Sequence, residues 1–338
     1  MISIKKISVL LLCFVFLQTA NAAWTKQNSG TFAWLHSIYF VNEKQGWITG
    51  SNGTFLKTSD GGLTWKQTKK FTEDNLRDVY FSDAQNGWLL CERDIYGGGE
   101  FSPSYLLKTS DGGETWEKIT VTGESRERIT RFFFSKDGNG FAVGEAGAIW
   151  AMTDDKKIWK KTSLPVRYLM LDGKFADNTH GALVGGGGTI LFTEDDGLSW
   201  NPAAVSGGNI GKLNSIFFIN QRIGWTVGAS GKILFTNNGG KFWHEQNSNI
   251  SKNLSDIFFI NTAEGWATGD DGTILHTTTA GNIWNAEETG ITHKLERVVF
   301  VGQKGFAVGF GGTILNYDRT QNGEPLKGKP RLQKRTAE

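Results

Sequence analysis

Tryptophan recurs along this chain at a nearly constant interval, and that period is the strongest constraint on the fold. The spacings between successive copies are 41, 51, 43, 41, 43 and 41 residues, and the copies are Trp24, Trp65, Trp116, Trp159, Trp200, Trp243 and Trp284. A second series lies between them, in which glycine precedes a mostly aromatic residue, from Gly46-Trp47 to Gly305-Phe306. Both series have seven members, so the chain is predicted to consist of seven like units.

Each unit is predicted to contain four short strands. In the sixth unit these strands are predicted at 254–259, 265–268, 272–277 and 283–287, with turn residues between them. The first strand is almost continuously apolar, as expected for an inner strand that is buried on both faces. Four-stranded units of ~40 to 45 residues are typical of β-propeller blades. The predicted fold class is therefore all-β: one seven-bladed β-propeller of four-stranded blades.

The two ends of the repeat array predict how the propeller closes. The seventh unit, 295–317, ends after its third strand, whereas the chain offers an unassigned strand at 24–27 that resembles the fourth strand of the first unit. We therefore expect the N-terminal strand to complete the last blade beside 313–316, which removes an exposed sheet edge. Glycine at 44 of 338 residues and proline at only 5 fit a fold with many tight turns.

The turn between the third and fourth strands carries the Asp-box motif T-x-D-x-G-x-T-W, which is complete at 58–65 and 109–116. A short carboxylate can accept backbone N–H bonds across such a turn, and glycine supplies positive φ. Later copies have Asn238 and Thr279 in place of the aspartate, which favours a structural role over a catalytic one. The residues assigned to this structural role are Asp60, Gly62, Trp65, Asp111, Gly113, Trp116, Asp195, Gly197 and Trp200.

The first 22 residues have the pattern of a secretory signal peptide. Lys5 and Lys6 precede an apolar stretch, and Ala20-Asn21-Ala22 is a small-x-small cleavage signal, so the mature protein is expected to begin at Ala23. The stretch is too short for a membrane span. The predicted domains are a signal peptide at 1–22, the propeller at 23–321 and a basic, disordered tail at 322–338. We expect an exported protein, periplasmic or extracellular.

Charge and metal-ligating residues exclude several function classes. Without Lys5 and Lys6 the chain has 34 basic and 34 acidic residues, so no global basic field attracts nucleic acid. Cys91 is the only cysteine beyond the leader, which excludes an internal disulfide. The five histidines lie singly in different units, so we expect neither a metal site nor a cofactor.

The Asp-box turns, the G-W-x-x-G element and the four-strand unit together resemble the photosystem II stability/assembly factor family of Asp-box propellers, over 24–316. The resemblance implies a seven-bladed, non-enzymatic lumenal or periplasmic factor that helps to assemble a membrane complex. It also implies docking of a protein client through a surface arginine patch. A thylakoid lumen location would apply only in a photosynthetic organism.

Arginines from the second to fourth blades are the candidate docking residues. They are expected on the face that holds the connectors between successive units and the hairpins between the second and third strands of each unit. They are Arg77, Arg93, Arg126, Arg128, Arg131 and Arg167. Arginine engages carboxylates with paired donors. We expect Arg77, Arg131 and Arg167 to surround the mouth of the central tunnel of the propeller and the others to lie further from the axis. Tyr96 and Phe101, in an insertion in the second blade, are added as partner-binding residues.

Two other interpretations of these residues stay open. Acidic residues are interspersed with the arginines, which is also typical of a solvated mixed-charge face. An Asp-box sialidase would need an arginine cluster, a tyrosine nucleophile and carboxylates around one pocket; Tyr39, Tyr80 and Tyr168 are available, although the first two fit the core pattern. The function hypothesis is a monomeric, non-enzymatic, exported protein-binding scaffold; the alternative is a sialidase-like glycoside hydrolase or a glycan-binding propeller.

Overall fold

Short strands make up nearly all regular structure in the computed structural model, which describes residues 24–93, 103–122, 127–153, 157–208 and 210–322. The strands are β1 (Thr25–Gln27), β2 (Leu35–Phe40), β3 (Gly46–Gly50), β4 (Phe55–Thr58), β5 (Lys66–Gln67), β6 (Asn75–Phe81), β7 (Gly87–Glu92), β8 (Ser104–Thr109), β9 (Glu117–Lys118), β10 (Thr120–Val121), β11 (Ile129–Phe134), β12 (Gly140–Gly144), β13 (Ala148–Met152), β14 (Ile158–Ser163), β15 (Met170–Phe175), β16 (Gly181–Gly185), β17 (Ile190–Thr193), β18 (Asn201–Pro202), β19 (Ala204–Val205), β20 (Leu213–Phe218), β21 (Gly224–Gly228), β22 (Ile233–Thr236), β23 (Phe242–Gln246), β24 (Leu254–Phe259), β25 (Gly265–Gly269), β26 (Ile274–Thr277), β27 (Asn285–Glu287), β28 (Leu295–Val301), β29 (Lys304–Gly309) and β30 (Thr313–Asp318). Within these ranges no helix is long and apolar enough to cross a membrane.

The strands form seven sheets, and the prediction of a seven-bladed propeller is confirmed. Blades 1 to 6 begin with β2, β6, β11, β15, β20 and β24 as inner strand a, and strands b, c and d follow outward in chain order. Blade 7 consists of β28, β29, β30 and β1. In blade 6, strand c begins two residues later than predicted, because Asp270–Gly272 form a 3-10 turn at the b-to-c hairpin.

The N-terminal strand closes the ring as predicted. It pairs antiparallel with β30, with Thr25 opposite Asn316 and Gln27 opposite Ile314. Trp24 is buried in the same blade, and its indole Nε1 donates a 2.5 Å hydrogen bond to Glu287 Oε2 of blade 6. The first described strand thus covers the outer edge of the last blade and also contacts its neighbour.

Two outer strands also join adjacent blades, a feature that the repeat period does not indicate. After β9 pairs in blade 2, the chain continues directly into β10, which pairs parallel to β14 of blade 3. The same step occurs after β18, where β19 pairs parallel to β23 of blade 5. Blades 3 and 5 therefore have five strands each, one of them from the chain segment that leaves the preceding blade.

The hydrophobic core lies between neighbouring blades. Trp225 of blade 5 stacks on Phe259 of blade 6, with ring centroids 3.5 Å apart and an interplanar angle of 8°. Trp284, from the Asp-box of blade 6, packs edge-on against the same phenylalanine at 5.9 Å. Each blade thus buries its apolar face only when its neighbour is present.

The loops divide between the two ends of the ring. At one end the b-to-c turns bond to the next d-to-a connector, as in Gly53 N donating to Asp74 O at 2.8 Å. At the other end the Asp-box turns bond to the a-to-b turns, as in Gly61 N donating to Lys44 O at 2.9 Å. We call the first end the connector face and the second the Asp-box face.

Candidate functional site: a basic funnel on the connector face

A ring of polar side chains lines the propeller axis near the connector face. It is formed by the residue two positions after the buried apolar residue near the start of each inner strand, and its side chains alternate around the axis between hydroxyl, carboxylate and guanidinium groups. In blade order the ring is Ser37, Asp78, Arg131, Asp172, Ser215, Asp256 and Arg297. Three carboxylates and two guanidiniums in adjacent blades can satisfy one another, so these polar groups can be buried inside the ring.

The contacts within this ring run from blade to blade. Arg131 lies between two aspartates, with Nη1 3.3 Å from Asp78 Oδ2 and Nε 3.3 Å from Asp172 Oδ1. Arg297 Nη1 lies 3.1 Å from Asp256 Oδ1. Asp256 also accepts from the Ser215 hydroxyl at 2.6 Å and from the Val298 backbone N–H at 2.9 Å. These arginines are held at the floor of the site and are not free to leave it.

Burial shapes the protonation of the ring. It raises the pKa of Asp256 to about 7, although the hydrogen bond from Ser215 lowers it. Burial also raises the pKa of Asp78 and Asp172, against the attraction of Arg131. The carboxylates therefore depend on their arginine and backbone partners to remain ionised.

Above the ring lies an open funnel of about 290 Å³ on the connector face. Its charged lining residues are six bases and three acids: Arg77, Arg128, Arg131, Lys212, Lys294 and Arg297 against Glu92, Asp270 and Glu296. The remaining lining side chains include Leu171, Asn214, Asn253 and Ser255. A wide polar concavity with excess basic groups fits an anionic or carboxylate-bearing ligand better than an apolar one.

The bases at the wall of the funnel are more exposed than those at its floor, since the side chains of Arg77, Arg128 and Lys294 are 36–41% exposed, against 12–16% for Arg131 and Arg297. Arg77 and Arg128 share one carboxylate, since Arg77 Nε lies 3.0 Å from Glu92 Oε2 and Arg128 Nη1 lies 2.9 Å from Glu92 Oε1. Lys212 is exposed and forms no ion pair within the described residues. Lys294 Nζ lies 3.1 Å from Glu296 Oε2. These four side chains are the bases that a ligand can engage.

A buried neutral histidine supports this wall. Burial, together with the nearby positive charges of Arg77 and Lys294, lowers the pKa of His36 to about 2. Arg77 Nη1 lies 3.3 Å from both ring nitrogens, so the guanidinium lies against the imidazole. His36 therefore positions Arg77 without adding charge to the funnel.

The structure places the predicted arginines at three depths. Arg77, Arg128 and Arg131 all line the funnel. Arg131 lies in the buried ring below the mouth of the funnel. Arg128 lies closer to the funnel than expected. Arg93 lies over the ring of Tyr105 at 4.5 Å. Arg167 is exposed on its connector and is not among the lining residues. The predictions at Arg126, Tyr96 and Phe101 lie outside the described residues.

Sequence reasoning missed Lys212, Lys294 and Arg297, because it looked only for a local cluster of arginines. The missed signal is positional. Each inner strand has a buried apolar residue in its first or second position, and the residue just before that apolar residue is Arg128, Lys212 or Lys294 in blades 3, 5 and 7. Aligning the seven units on that apolar residue would have placed Arg128, Lys212 and Lys294 together on the rim of the funnel.

The Asp-box turns on the opposite face show a repeated capping geometry. Asp60 Oδ1 accepts from the Thr58 hydroxyl at 2.7 Å and the Thr64 backbone N–H at 3.0 Å, and Oδ2 accepts from the Thr64 hydroxyl at 2.6 Å. These bonds lower the pKa of Asp60 to about 2. Asn238 accepts the equivalent bonds at 3.0 Å in blade 5. The three aspartates Asp60, Asp111 and Asp195 all bond in this way.

The glycines and tryptophans of these turns pack against aromatic residues. A Cβ on Gly62 would lie 2.4 Å from the ring of Phe306 in blade 7. Trp65 packs edge-on to the same ring at 6.2 Å. Trp116 likewise packs close to Gly113, and Trp200 packs close to Gly197.

Candidate catalytic and metal-binding groups are not gathered at the funnel. Tyr39 and Tyr80 contact each other at 5.1 Å, and burial raises the pKa of both hydroxyls. Neither is a funnel-lining residue. Within the described part of the chain no three His, Cys, Asp or Glu side chains form a metal-binding group. The single described cysteine, Cys91, is buried.

The family described as "Photosynthesis system II assembly factor YCF48" matches residues 17–96 and 151–250, which is more than half of the chain. The chain belongs to the YCF48 family. This agrees with the resemblance that the Asp-box turns and the four-strand units indicated.

Curated relatives in the YCF48 family cover parts of the chain. The photosystem II stability/assembly factor HCF136 of Arabidopsis thaliana is 26% identical over 133 residues, 37% of this chain and 30% of the relative. The photosystem II assembly lipoprotein Ycf48 of Synechococcus sp. (strain CC9902) is 25% identical over 215 residues, 51% of this chain and 62% of the relative. The chain thus spans less than two thirds of each.

Solved structures match over more of the chain. A structure described as YCF48 bound to D1 peptide has a TM-score of 0.71 and 21% identity, and covers 88% of this chain and 96% of that chain. Virginiamycin B lyase from Staphylococcus aureus has the same TM-score at 13% identity, covering 88% of this chain and 99% of that chain. Because an assembly factor and a lyase match equally well, this likeness defines the fold alone.

Proposed function

We propose that the protein is an exported, non-enzymatic scaffold that holds a segment of a membrane-complex subunit in the basic funnel while the complex assembles. One observation carries the proposal. The funnel wall presents Arg77, Arg128, Lys212 and Lys294, which are more exposed than the arginines of the floor, and Lys212 has no ion-pair partner within the described residues. A protein segment with a free carboxylate or acidic side chains is the ligand class that this wall fits best.

The contacts suggest how the ligand is held. Arg77 and Arg128 both bond to Glu92, so one carboxylate is shared by two guanidiniums. Arg128 also lies 3.4 Å from Glu145 Oε1, so a ligand carboxylate can take donors from Arg77 while Arg128 stays paired with Glu92. Lys212, which is exposed, supplies a third charge on the opposite wall. Arg131 and Arg297 hold the floor in place beneath the ligand.

The comparisons support the choice of a protein ligand. A family relative was solved with a D1 peptide, and other relatives are described as photosystem II assembly factors. The leader at 1–22 supports export, and one relative is described as a lipoprotein. We extend these properties to this chain as part of the proposal, with the mature propeller at 23–321 acting as a monomer.

A hydrolase function is not proposed. Of the three tyrosines available as nucleophiles, Tyr39 and Tyr80 pack against each other in the core, and Tyr168 is exposed but is not a funnel-lining residue. The hydroxyls of Tyr39 and Tyr80 have raised pKa values because they are buried, which disfavours a nucleophilic phenolate. The family relatives are described as assembly factors, which supports a binding role.

Affinity capture from the membrane fraction of the source organism tests the proposal. The bait is the mature protein, compared with an Arg77/Arg128/Lys212→Ala triple variant. The control is Lys44/Lys136/Arg222→Ala, which removes the same charge from the Asp-box face. We expect a membrane-complex subunit to be captured by the wild type and the control and lost with the triple variant. Equal capture by all three folded proteins would refute the proposal.

A further inference from the structure

Beside the funnel, one sector of the connector face is aromatic instead of basic. We call Phe32, Trp34 and Phe310 the aromatic ledge. Phe32 is 94% exposed and Phe310 51% exposed. Phe310 opens the 3-10 turn of blade 7, where the equivalent turns of blades 3 to 6 begin with Glu145, Gly186, Ala229 and Asp270. Among the described turns of blades 3 to 7, only that of blade 7 begins with a large apolar side chain.

The ledge is continuous with the funnel. Phe310 packs edge-on to Trp34 with centroids 5.6 Å apart, and Trp34 contacts the His36 ring at 5.5 Å. Lys294 Nζ lies 5.8 Å from the Trp34 ring centroid. His36 and Lys294 both line the funnel, so aromatic and basic groups share one surface.

The connector holds Phe32 at its tip by a series of local hydrogen bonds. The Thr31 hydroxyl accepts from Ala33 N at 3.1 Å, and Ala33 O accepts from Gly312 N at 2.7 Å. Trp34 N donates to the Ser51 hydroxyl at 3.0 Å. An apolar side chain presented on a fixed backbone loses little conformational entropy when a partner covers it.

We propose that the aromatic ledge binds an apolar or aromatic side chain of the same protein segment whose carboxylate occupies the funnel; this rests on the proposed function. Charge complementarity selects the occupant, because Lys294 lies against the Trp34 ring, so that a partner whose carboxylate binds Lys294 also lies beside the ledge. An extended peptide advances about 3.3 to 3.6 Å per residue. The contacts that lead from Phe310 through Trp34 and His36 to Arg77 span about 14 Å, so the anchor side chain lies within about four residues of the carboxylate.

A peptide fits this surface better than a lipid bilayer does. Phe310 and Trp34 form a narrow shelf that leads into a concave funnel, whereas a flat bilayer cannot reach the funnel wall. The ledge thus specifies a sequence feature of the client: an acidic group preceded or followed closely by an apolar anchor.

Photo-cross-linking in the membrane fraction tests the ledge and the funnel separately. Benzoylphenylalanine replaces Phe310 in one protein and Leu171, an apolar funnel residue, in another. We expect both positions to cross-link one client, at sites within about five residues of each other. Cross-links from position 171 alone would overturn the ledge and leave the proposed function standing. Cross-links from position 310 to lipid, to another protein or to a second copy would also overturn it. Cross-links from neither position would overturn both.

A matched substitution measures the contribution of the ledge. Phe32→Ser/Phe310→Ser is expected to lower client capture about tenfold, as for the loss of an interface anchor. The control is Leu198→Ser, which removes an 88% exposed apolar side chain from the Asp-box face and should leave capture unchanged. Unchanged capture by the folded double variant, or an equal loss with the control, would overturn the inference.

Discussion

His276 is predicted to make the closure of the propeller depend on pH. Its Nδ1 lies 3.0 Å from Glu287 Oε1, and its Nε2 lies 3.4 Å from Glu264 Oε1. Trp24 of the closing strand donates to Glu287, and Arg319, just after the last strand, lies 2.7 Å from Glu264. One protonated imidazole thus joins two carboxylates that also hold the first and last described segments.

The magnitude follows from the pKa of this histidine. Burial alone would lower it, but hydrogen bonds and charge attraction from Glu264 and Glu287 raise the pKa of His276 from 6.5 to about 9. A shift of this size corresponds to about 3 kcal/mol of folding free energy. Between pH 6.5 and 9 the folded state holds a proton that the unfolded state has lost. The stabilisation is therefore complete below pH 6.5 and disappears as the pH rises through 9.

Urea unfolding of His276→Gln, followed by tryptophan fluorescence, measures this contribution. The loss of unfolding free energy that the substitution causes should be about 3 kcal/mol larger at pH 6 than at pH 9.5, because glutamine carries no charge at either pH. His244→Gln is the control, since His244 forms no ion pair within the described residues. A stability difference between wild type and His276→Gln that does not change with pH would refute the reasoning.

Three further substitutions test other parts of the fold, each by the same urea titration. Trp24→Ala should lower stability by about 3 to 5 kcal/mol, because it removes a buried aromatic side chain from the closing blade; a change below 1 kcal/mol would contradict that role. Asp60→Ala should cost about 1 kcal/mol through lost turn hydrogen bonds, whereas Asp60→Asn should be nearly neutral, as Asn238 already caps one turn. Arg131→Ala should cost about 3 to 5 kcal/mol, because it leaves two buried aspartates without their partner; an Arg131→Ala protein as stable as the wild type would show that the ring does not need this charge.

The architecture could be predicted from the sequence because each repeat contains several residues that fit only one structural role. Tryptophan at a period near 41 residues has to pack between blades, and an incomplete seventh unit needs a strand from elsewhere, which β1 supplies. The outer strands β10 and β19 could not be predicted, because two-residue strands leave no periodic pattern.

The candidate site was only partly predictable, for a physical reason. Arg77, Arg128 and Arg131 look alike in the sequence, yet their depth is set by the position each occupies relative to the inner strand. Arg131 is the third strand residue and faces the axis between two aspartates, whereas Arg128 precedes the strand and lies at the rim. Charge composition cannot separate a buried ion pair from an available donor; the alignment of the seven units can.

Hydrogen exchange of the mature protein, measured with and without its captured client, tests the central claim most directly. If the client occupies the funnel, backbone amides of the connectors at 210–212 and 292–294 should exchange more slowly in the complex. The Asp-box turns at 59–64 and 195–199 lie on the opposite face and should exchange at the same rate in both states. Protection of the Asp-box turns, with unchanged connectors, would contradict the account.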